Sequence, residues 1–369
     1  MAAEQDPQLI ARLTPLPDVL ARIDALVGPV RPRRIAAAAA VGRVLVEDVV
    51  APGAIPAVAL ALRDGFAVAS DTVADASSYA PVPLMPGRRI DVGDELPEGT
   101  DAVAALETVA AHGGGLAIIA PVAPGDGVLR PGVDTDAGTT LRRAGHVLRT
   151  SDIAVLTAAG IGEIAVCEPL IHVLKARPGP DAMLDAAVHL IGAGVTAGRV
   201  APAVDDITAA LADRGVDAVV IVGGTGAGRD DASVRALAAA GRVEVHGVAL
   251  LPGESAAFGM VDTRPVLLVP GRLDATLAIW LTLGRPLLAR LTGVPEAIPT
   301  TAAVLARKLA SPLGLTELVP VRLADGKAEP IASGYWPLQS FTQADGWILV
   351  SPDSEGYPAG AQVMVRAWP

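Results

Sequence analysis

The sequence has little of several features that mark common protein classes. Cys167 is its one cysteine, which excludes an intramolecular disulfide framework and a cysteine-rich zinc site. Lysine occurs only three times, and 29 basic against 40 acidic residues leave a formal net charge of −11. Because no Lys/Arg-rich run could neutralise a phosphate backbone, we expect no nucleic-acid partner. Cys167 continues an alternating apolar pattern, so we expect it to be buried.

Long apolar runs are also lacking. No uninterrupted stretch reaches ~18 residues, and the N-terminus MAAEQDPQLI does not have the basic-then-apolar layout of a signal peptide. We therefore expect no membrane association and a cytoplasmic location. Aromatic residues make up 3% of the chain, but hydrophobic residues make up 51% of its 369 residues. This length and composition predict several packed domains instead of disorder.

The spacing of apolar residues predicts an α/β multidomain fold. An amphipathic helix, interrupted near Pro15 and Pro17, is predicted over residues 8–28. Short apolar runs punctuated by Gly, Pro and Asp predict a β-rich module over about 53–139. A short helix is expected at 150–160. Strands and helices then alternate as in an α/β domain, with a single strand predicted at 243–250. The last segment, 299–369, returns to strand-like patterns.

A glycine-rich loop follows the most apolar predicted strand, 217–222. Its sequence is Gly223-Gly224-Thr225-Gly226, and Arg229, Asp230 and Asp231 are expected to begin a helix over 230–240. A strand, a glycine loop and a helix N-terminus together present backbone N–H groups to an anion. The spacing matches neither a dinucleotide fingerprint nor a P-loop, and a tight turn without a ligand is the alternative. The two aspartates either complement the helix dipole or hold a divalent cation beside a phosphate.

Other loops are expected at the same crevice. Pro252-Gly253 and Pro270-Gly271 follow predicted strands, and ligands of open α/β sheets lie outside the carboxyl ends of the strands. Basic residues recur on these loops, and they either grip an oxyanion or are ordinary surface charges. They are Lys175, Arg177, Arg229 and Arg272.

Five segments, in order, resemble the molybdopterin molybdenumtransferase family, to which the E domain of gephyrin also belongs. LRDGFAV is similar to the family's M-D-G-Y-A-V, and LPEGTDAV to P-x-G-(A/T)-D-A-V. VLRPGVDTDAGTTLRRAGHVL follows the family's N-V-R-x-x-G-E-D segment, and VALLPGESAAFG with VLLVPGRLDATL follows its two P-G loops. LQSFTQADGWILV resembles the start of its C-terminal β-domain. The resemblance covers nearly the whole chain.

The resemblance implies four structural parts. An elongated helical linker domain would comprise 1–48 with 140–170, and a β-rich insertion domain would comprise 49–139. A three-layer, molybdopterin-binding α/β domain would hold 171–295, and a β-barrel-like domain would hold 296–369. It also implies a homodimer, with other molybdenum-cofactor proteins as further partners.

The resemblance further implies an activity and a set of site residues. Such enzymes take adenylylated molybdopterin and molybdate, use Mg²⁺, and release molybdenum cofactor and AMP. The catalytic acids would be Asp64, Asp134 and Asp231, with Asp230 and Asp231 at the metal and Lys175, Arg177 and Arg272 at the oxyanion. The molybdopterin and its phosphate would be bound by Gly223, Gly224, Thr225, Gly226, Arg229, Pro252, Gly253, Pro270 and Gly271.

The chain is a divergent member by this resemblance. Gly247, Leu251 and Glu254 stand where the family has lysines, and 175–179 replaces its catalytic acid turn. Two hypotheses follow. The chain is an active transferase with relocated Arg and Lys, or it is a catalytically impaired protein of the same fold that binds or delivers molybdopterin or the cofactor.

Overall fold

A computed structural model describes residues 6–85, 88–204, 206–295 and 298–369. The chain divides into two compact units. One comprises residues up to 46 together with 145–149 and 165–369, and the other comprises 47–144 with 150–164. Among the described residues, no helix combines the length and hydropathy needed to cross a membrane.

The helices and strands of the described ranges are numbered in chain order. The helices are α1 (Leu16–Leu26), α2 (Thr150–Ala158), α3 (Ala182–Gly194), α4 (Ile207–Ala212), α5 (Ser233–Ala240), α6 (Leu273–Ile279), α7 (Arg285–Thr292) and α8 (Leu338–Gln343). The strands are β1 (Thr14–Pro15), β2 (Arg33–Ala36), β3 (Val44–Leu45), β4 (Val49–Val50), β5 (Leu60–Ala61), β6 (Gly65–Val68), β7 (Val82–Pro83), β8 (Arg89–Ile90), β9 (Ala102–Ala105), β10 (Val109–His112), β11 (Gly115–Ile118), β12 (Val128–Leu129), β13 (Thr140–Arg142), β14 (Glu163–Cys167), β15 (Leu170–Lys175), β16 (Arg199–Val200), β17 (Ala218–Val222), β18 (Arg242–His246), β19 (Val248–Leu251), β20 (Ala257–Val261), β21 (Arg264–Val269), β22 (Thr300–Leu305), β23 (Leu309–Ala310), β24 (Thr316–Ala324), β25 (Lys327–Pro330), β26 (Gly346–Val350), β27 (Gly356–Tyr357) and β28 (Gln362–Ala367). A π-helical turn, Trp280–Gly284, joins α6 to α7.

The first unit contains a six-stranded sheet in the order β16-β15-β17-β21-β20-β18. The first four strands are parallel, and β20 and β18 run antiparallel to their neighbours. Both faces of the sheet are covered, which is why the central strand β17 reads as an unbroken apolar run. Val220 and Val222 pack with α1, α3, α6 and α7, whereas Val219 and Ile221 pack with α4 and α5. The predicted three-layer α/β domain is confirmed.

A closed barrel of five strands forms the C-terminal part of this unit. The strands follow the order β24-β25-β22-β28-β26, and β26 pairs back with β24. Alternate residues such as Val319, Val321 and Ile348 are buried inside it. Closure leaves no unpaired edge among these strands, and it confirms the predicted barrel-like domain.

The predicted strand over 243–250 is wrong, because the chain forms two strands there in different sheets. β18 belongs to the α/β sheet, whereas β19 pairs with β24 and with β1. Gly247 separates them with a φ of 96°, a conformation that favours glycine and turns the chain out of the first sheet. Hydrophobic alternation continues through the turn, so the pattern alone does not reveal it.

The helix observed in the region predicted as helical, 8–28, is shorter than expected and spans Leu16–Leu26. α1 starts at Leu16, directly after Pro15 and with Pro17 in its first turn, where a missing N–H costs least. Residues 6–13 are not helical, and they lead into β1. Cys167 is buried as predicted, and burial raises the pKa of its thiol.

The second unit is rich in short strands, as we expected for the β-rich module. Its small sheets have the strand orders β8-β6-β9, β10-β11-β7, β12-β5 and β13-β4. The unit also contains helix α2. Small residues let the strands approach closely. A Cβ on Gly65 would lie 2.1 Å from the carbonyl oxygen of Ala104, so this position in the D-G-F-A-V segment requires glycine.

Candidate functional site

A cavity of about 420 Å³ opens at the carboxyl ends of β17 and β21. Loops that follow strands of the α/β sheet line it on one side, and residues of the C-terminal part line it on the other. Its lining residues include Arg177, Met183, Gly223, Gly224, Thr225, Gly226, Asp231, Gly253, Glu254, Ser255, Pro270, Gly271, Arg272, Asp274, Tyr335, Trp336, Leu338 and Phe341. The cavity lies where ligands of open α/β sheets bind.

The glycine loop adopts a conformation that only glycines tolerate well. Gly223 and Gly224 have φ values of 93° and 67°, and the N–H of Gly223 donates to the carbonyl oxygen of Val269 at 2.7 Å. A Cβ on Gly224 would lie 2.4 Å from the Oγ of Ser233. The two glycines therefore let the chain turn sharply from β17 toward α5 while it stays close to its neighbours.

Each carbonyl oxygen of this loop faces a side-chain nitrogen or hydroxyl. The contacts, at 2.7–3.0 Å, are from Ser233 to Gly223, from Gln8 to Gly224 and Gly226, and from His246 to Thr225. By contrast, the N–H groups of Gly224, Thr225 and Gly226 have no hydrogen-bond acceptor among the described residues. The donors offset part of the negative charge on these carbonyl oxygens, and the unpaired N–H groups attract an anion. The loop thus has the polarity of an anion site.

The prediction that Asp230 and Asp231 lie in the first turn of a helix is wrong, because α5 begins only at Ser233. The Asp231 carboxylate accepts from the N–H of Gly228 at 3.0 Å, and its own N–H donates to the carbonyl of Gly228 at 3.1 Å. This side-chain-to-backbone turn competes with helix formation and delays its start. Asp231 lines the cavity, whereas Asp230 is exposed and lies 3.8 Å from Arg177.

Arg272 is a basic residue that the structure orients within the cavity. Its Nε and Nη2 donate to the carboxylate of Asp274 at 3.0 and 2.6 Å, and its guanidinium lies 5.3 Å from the ring centroid of Tyr335. The bond to Asp274 raises the pKa of Arg272. Its side chain is still 60% exposed, so it can bind an anion while Asp274 holds it in place.

The other two predicted oxyanion ligands differ in their surroundings. Arg177 lines the cavity with a side chain that is 53% exposed. The Lys175 Nζ instead donates to the carboxylate of Asp185 and to the carbonyl of Gly179, both at 2.5 Å. The hydrogen bond from Lys175 to Asp185 lowers the pKa of Asp185. Lys175 is not among the lining residues of the cavity.

Two buried carboxylates hold the aromatic wall of the cavity. Asp274 accepts from the N–H of Trp336 at 3.2 Å, and the Oε1 of the fully buried Glu317 accepts from Ser333 and Gly334 at 2.6 and 2.9 Å. These hydrogen bonds hold the segment 333–336, in which Tyr335 lines the cavity. Met183, Leu338 and Phe341 add apolar surface at this end. The cavity therefore has a polar glycine end and an apolar, aromatic end.

Two of the three positions where the resemblance expects lysines, Gly247 and Glu254, have specific surroundings in the structure. A Cβ on Gly247 would lie 2.5 Å from the Cγ2 of Ile10 and 2.8 Å from the carbonyl oxygen of Arg12, so no longer side chain fits there. Glu254 lines the cavity, and its carboxylate accepts from the N–H of Gly253 at 3.0 Å. Its negative charge helps raise the pKa of Arg272.

The structure brings many of the predicted site residues together and leaves others elsewhere. Those at the cavity are Arg177, Gly223, Gly224, Thr225, Gly226, Asp231, Gly253, Pro270, Gly271 and Arg272. Lys175, Arg229, Asp230 and Pro252 are not among the lining residues. Asp64 and Asp134 belong to the second unit, where both are exposed, and Asp64 accepts from the N–H of Val92 at 2.8 Å.

Sequence reasoning missed several residues of the cavity. Ser255 hydrogen-bonds Thr225 through their hydroxyls at 2.9 Å, and Asp274 anchors Arg272. Both follow Pro-Gly loops within two or three residues, which is a signal that could have found them. Tyr335 has no such signal, because it comes from a distant part of the chain. Gln8, which does not line the cavity but contacts the glycine loop, has none for the same reason.

Comparisons with known proteins identify the family of the chain and agree with its fold. Three family models match along the chain: the MoeA N-terminal region (domains I and II) at residues 14–160, a molybdopterin binding domain at 180–290, and the MoeA C-terminal region (domain IV) at 302–368. Together these matches span most of the chain, in the order that the sequence segments predicted.

Relatives match over most of their length. Molybdopterin molybdenumtransferase 2 of Mycobacterium tuberculosis is 29% identical, with 91% of this chain and 95% of the relative covered, and a molybdopterin molybdenumtransferase of Synechococcus elongatus is 25% identical, with 88% and 92% covered. The crystal structure of a molybdopterin biosynthesis MoeA protein from Pyrococcus horikoshii is 27% identical with a TM-score of 0.70, covering 97% of this chain and all of that one. With its three matched regions, its barrel and its glycine-loop cavity, the chain belongs to the molybdopterin molybdenumtransferase family.

Proposed function

We propose that this chain acts in molybdenum cofactor biosynthesis by inserting molybdate into adenylylated molybdopterin, with release of AMP. The cavity at β17 and β21 carries the proposal, because unpaired N–H groups of the glycine loop lie at one end and aromatic and apolar side chains at the other. A substrate with a phosphate and a planar ring system matches both ends.

The polar end accounts for anion binding. The N–H groups of Gly224, Thr225 and Gly226 would hold the molybdopterin phosphate, as glycine loops next to α/β strands do. Arg272 and Arg177 would bind molybdate or the second phosphate, since guanidinium groups bind such oxyanions in a bidentate manner. Because Asp274 already orients Arg272, less conformational freedom is lost when the anion binds.

Mg²⁺ would be held mainly by the substrate. Among the described residues, no group of three or more His, Cys, Asp or Glu side chains could hold a metal ion alone. Mg²⁺ is commonly bound by one or two carboxylates together with substrate phosphates, and Asp231 lines the cavity beside the glycine loop. We assign Asp231 as that carboxylate, and the bound ion would neutralise charge during pyrophosphate cleavage.

The remaining assignments complete the proposal. Asp64 and Asp134 are proposed catalytic acids on the resemblance to the family, and the working form is proposed to be a cytoplasmic homodimer. Lys175, Arg229, Asp230 and Pro252 do not line the cavity, so the proposal gives them no direct contact with the substrate.

The test is an AMP-release assay with purified protein, adenylylated molybdopterin, molybdate and Mg²⁺. We expect AMP release that requires molybdate, and we expect Asp231→Asn to reduce it by about a hundredfold, the usual scale for a lost charge-stabilising group. Asp353→Asn, which removes an acid from the C-terminal part, should leave it unchanged. Tight substrate binding without AMP release would contradict transfer and would indicate a binding or delivery protein.

A further inference from the structure

The segment before α1 follows the edge of the α/β domain and ends at β19. The carbonyl oxygen of Pro7 lies 3.0 Å from the Nδ1 of His246, and the N–H of Thr14 donates to the carbonyl of Gly247 at 2.9 Å. Ile10 and Arg12 occupy the space beside Gly247. The segment from 6 to 15, named here the N-terminal strap, is therefore held against this domain at several points.

Gln8 is the point where the strap meets the glycine loop. Its side-chain Nε2 donates to the carbonyl oxygens of Gly224 and Gly226 at 3.0 and 2.7 Å. Its Oε1 accepts from the backbone N–H of Arg235, in α5, at 3.3 Å. All the functional groups of this amide are satisfied, and the residue is only 2% exposed. Such complete satisfaction of a buried polar side chain indicates a specific structural task.

The task follows from the direction of the two loop carbonyls. A peptide group carries its N–H opposite its carbonyl, so a donor that holds the carbonyls of Gly224 and Gly226 also fixes the direction of the N–H groups of Thr225 and Ala227. Without Gln8 the carbonyl of Gly226 would lose its donor, the carbonyl of Gly224 would keep only the N–H of Ser233 at 3.1 Å, and the peptide planes could rotate. A rotated peptide would present oxygen, instead of hydrogen, to an anion.

We infer that Gln8 is a positioning residue for phosphate binding, and that the strap is a structural part of the anion site. Gln8 does not line the cavity. It acts through the peptides of the glycine loop. His246 lies beside it, with one ring nitrogen 3.0 Å from the carbonyl of Pro7 and the other 3.0 Å from the carbonyl of Thr225, and one N–H of the ring donates to one of them. The inference rests on the proposed function only for the identity of the anion.

Two substitutions of Gln8 separate the effect of its hydrogen-bond donors from the effect of its side-chain volume. Gln8→Glu keeps the shape and the acceptor for Arg235 but places oxygens against the carbonyls of Gly224 and Gly226. Gln8→Leu keeps similar bulk without any donor or charge. The matched control is Gln362→Glu, an exposed position on β28. Loss of these hydrogen bonds should weaken binding by about ten- to a hundredfold in both Gln8 variants.

The experiment measures the affinity for molybdopterin and for inorganic pyrophosphate by calorimetry, at low and high salt, beside the thermal unfolding midpoint. We expect weaker binding of both probes in both Gln8 variants and no change in Gln362→Glu. In the AMP-release assay, KM for the pterin should rise with little change in kcat, because Gln8 does not contact the reacting atoms. A substitution that only reduced the folded fraction of the protein would lower the apparent kcat and leave KM unchanged.

The outcomes distinguish the inference from the proposed function. If the wild-type chain binds pyrophosphate but not molybdopterin, and the Gln8 variants lose that binding, the inference stands and the proposed function fails. Equal affinities in wild type and both Gln8 variants would overturn the inference. Absence of binding of either probe to the wild type would also overturn it, since the loop would then not be an anion site.

Discussion

At the scale of single residues, the site depends on side chains that are held by a partner before any ligand arrives. Arg272 is held by the buried carboxylate of Asp274 and lies against Tyr335. Among the residues that the structure describes, the one charged partner of Arg177 is the exposed Asp230, at 3.8 Å between Nη1 and Oδ2. Binding costs less conformational entropy for a side chain that is already oriented, so Arg272 should contribute more to oxyanion affinity than Arg177.

We therefore expect Arg272→Ala to weaken molybdate binding by roughly ten- to a hundredfold, and Arg177→Ala to weaken it less. The double variant should also show a flatter salt dependence, because fewer charges contact the anion. Titration calorimetry at two ionic strengths measures both quantities. Arg322→Ala, at an exposed position in the barrel, is the control. Wild-type affinity in the double variant would remove these arginines from the site.

At the scale of elements, a hydrogen-bonded pair joins two segments of the second unit. The N–H and Oγ of Ser70, in a 3-10 turn after β6, both donate to the carboxylate of Asp101 at 2.7 Å. Asp101 precedes β9 in the segment that resembles the family's P-x-G-(A/T)-D-A-V. The backbone bond from Ser70, followed by its side-chain bond, lowers the pKa of Asp101 below the usual 3.8.

A carboxyl group whose pKa is lowered by folding stabilises the protein above its unfolded-state pKa. That stability is lost as the pH falls through the lower, folded-state value, so it is present at pH 7 and fades below about pH 4. Ser70→Ala should cost about 1 kcal/mol at pH 7 and less at pH 3, given that Asp101 is exposed. Urea unfolding at both pH values tests this, with the exposed Ser78→Ala as control. An equal cost at both pH values would exclude the charged hydrogen bond as the cause.

At the scale of the whole molecule, the barrel of the first unit has its own interior core, and the opposite face of its strands shares a second buried cluster with the α/β domain. Leu318, Trp336 and Trp347 of the C-terminal part belong to the same buried cluster as residues of α1, α3, α6 and α7. The chain has only four tryptophans, and two of them are in this shared cluster from the C-terminal side. Domains that share a core are expected to unfold together.

Trp347→Ala should therefore destabilise the α/β domain as well as the barrel, by about 3–5 kcal/mol. Hydrogen exchange followed by mass spectrometry would show faster exchange in β17 and in β24 alike. Tyr79→Ala, at a fully exposed position of the second unit, should change neither. Faster exchange that is confined to the barrel strands would show that the two domains are energetically independent.

Local chemistry allowed much of the architecture to be predicted. The apolar run of β17 and the glycines after it depend on burial of both sheet faces and on φ values that only glycine tolerates well, and both leave a local pattern. The start of α5 was missed because the turn that Asp231 closes has the composition of a helix N-terminus. The end of β18 was missed because apolar alternation continues through Gly247.

The sequence by itself determined the order of the domains and the family, and it predicted the glycine loop as an anion site, since periodicity and motif spacing record which residues must be buried or must bend. Only the tertiary structure decided which residues complete that site. Gln8 lies 216 residues from the loop carbonyl that it holds, and Tyr335 and Glu317 come from the C-terminal part. Contacts over such separations depend on how the folded layers pack, and packing leaves no periodic trace along the chain.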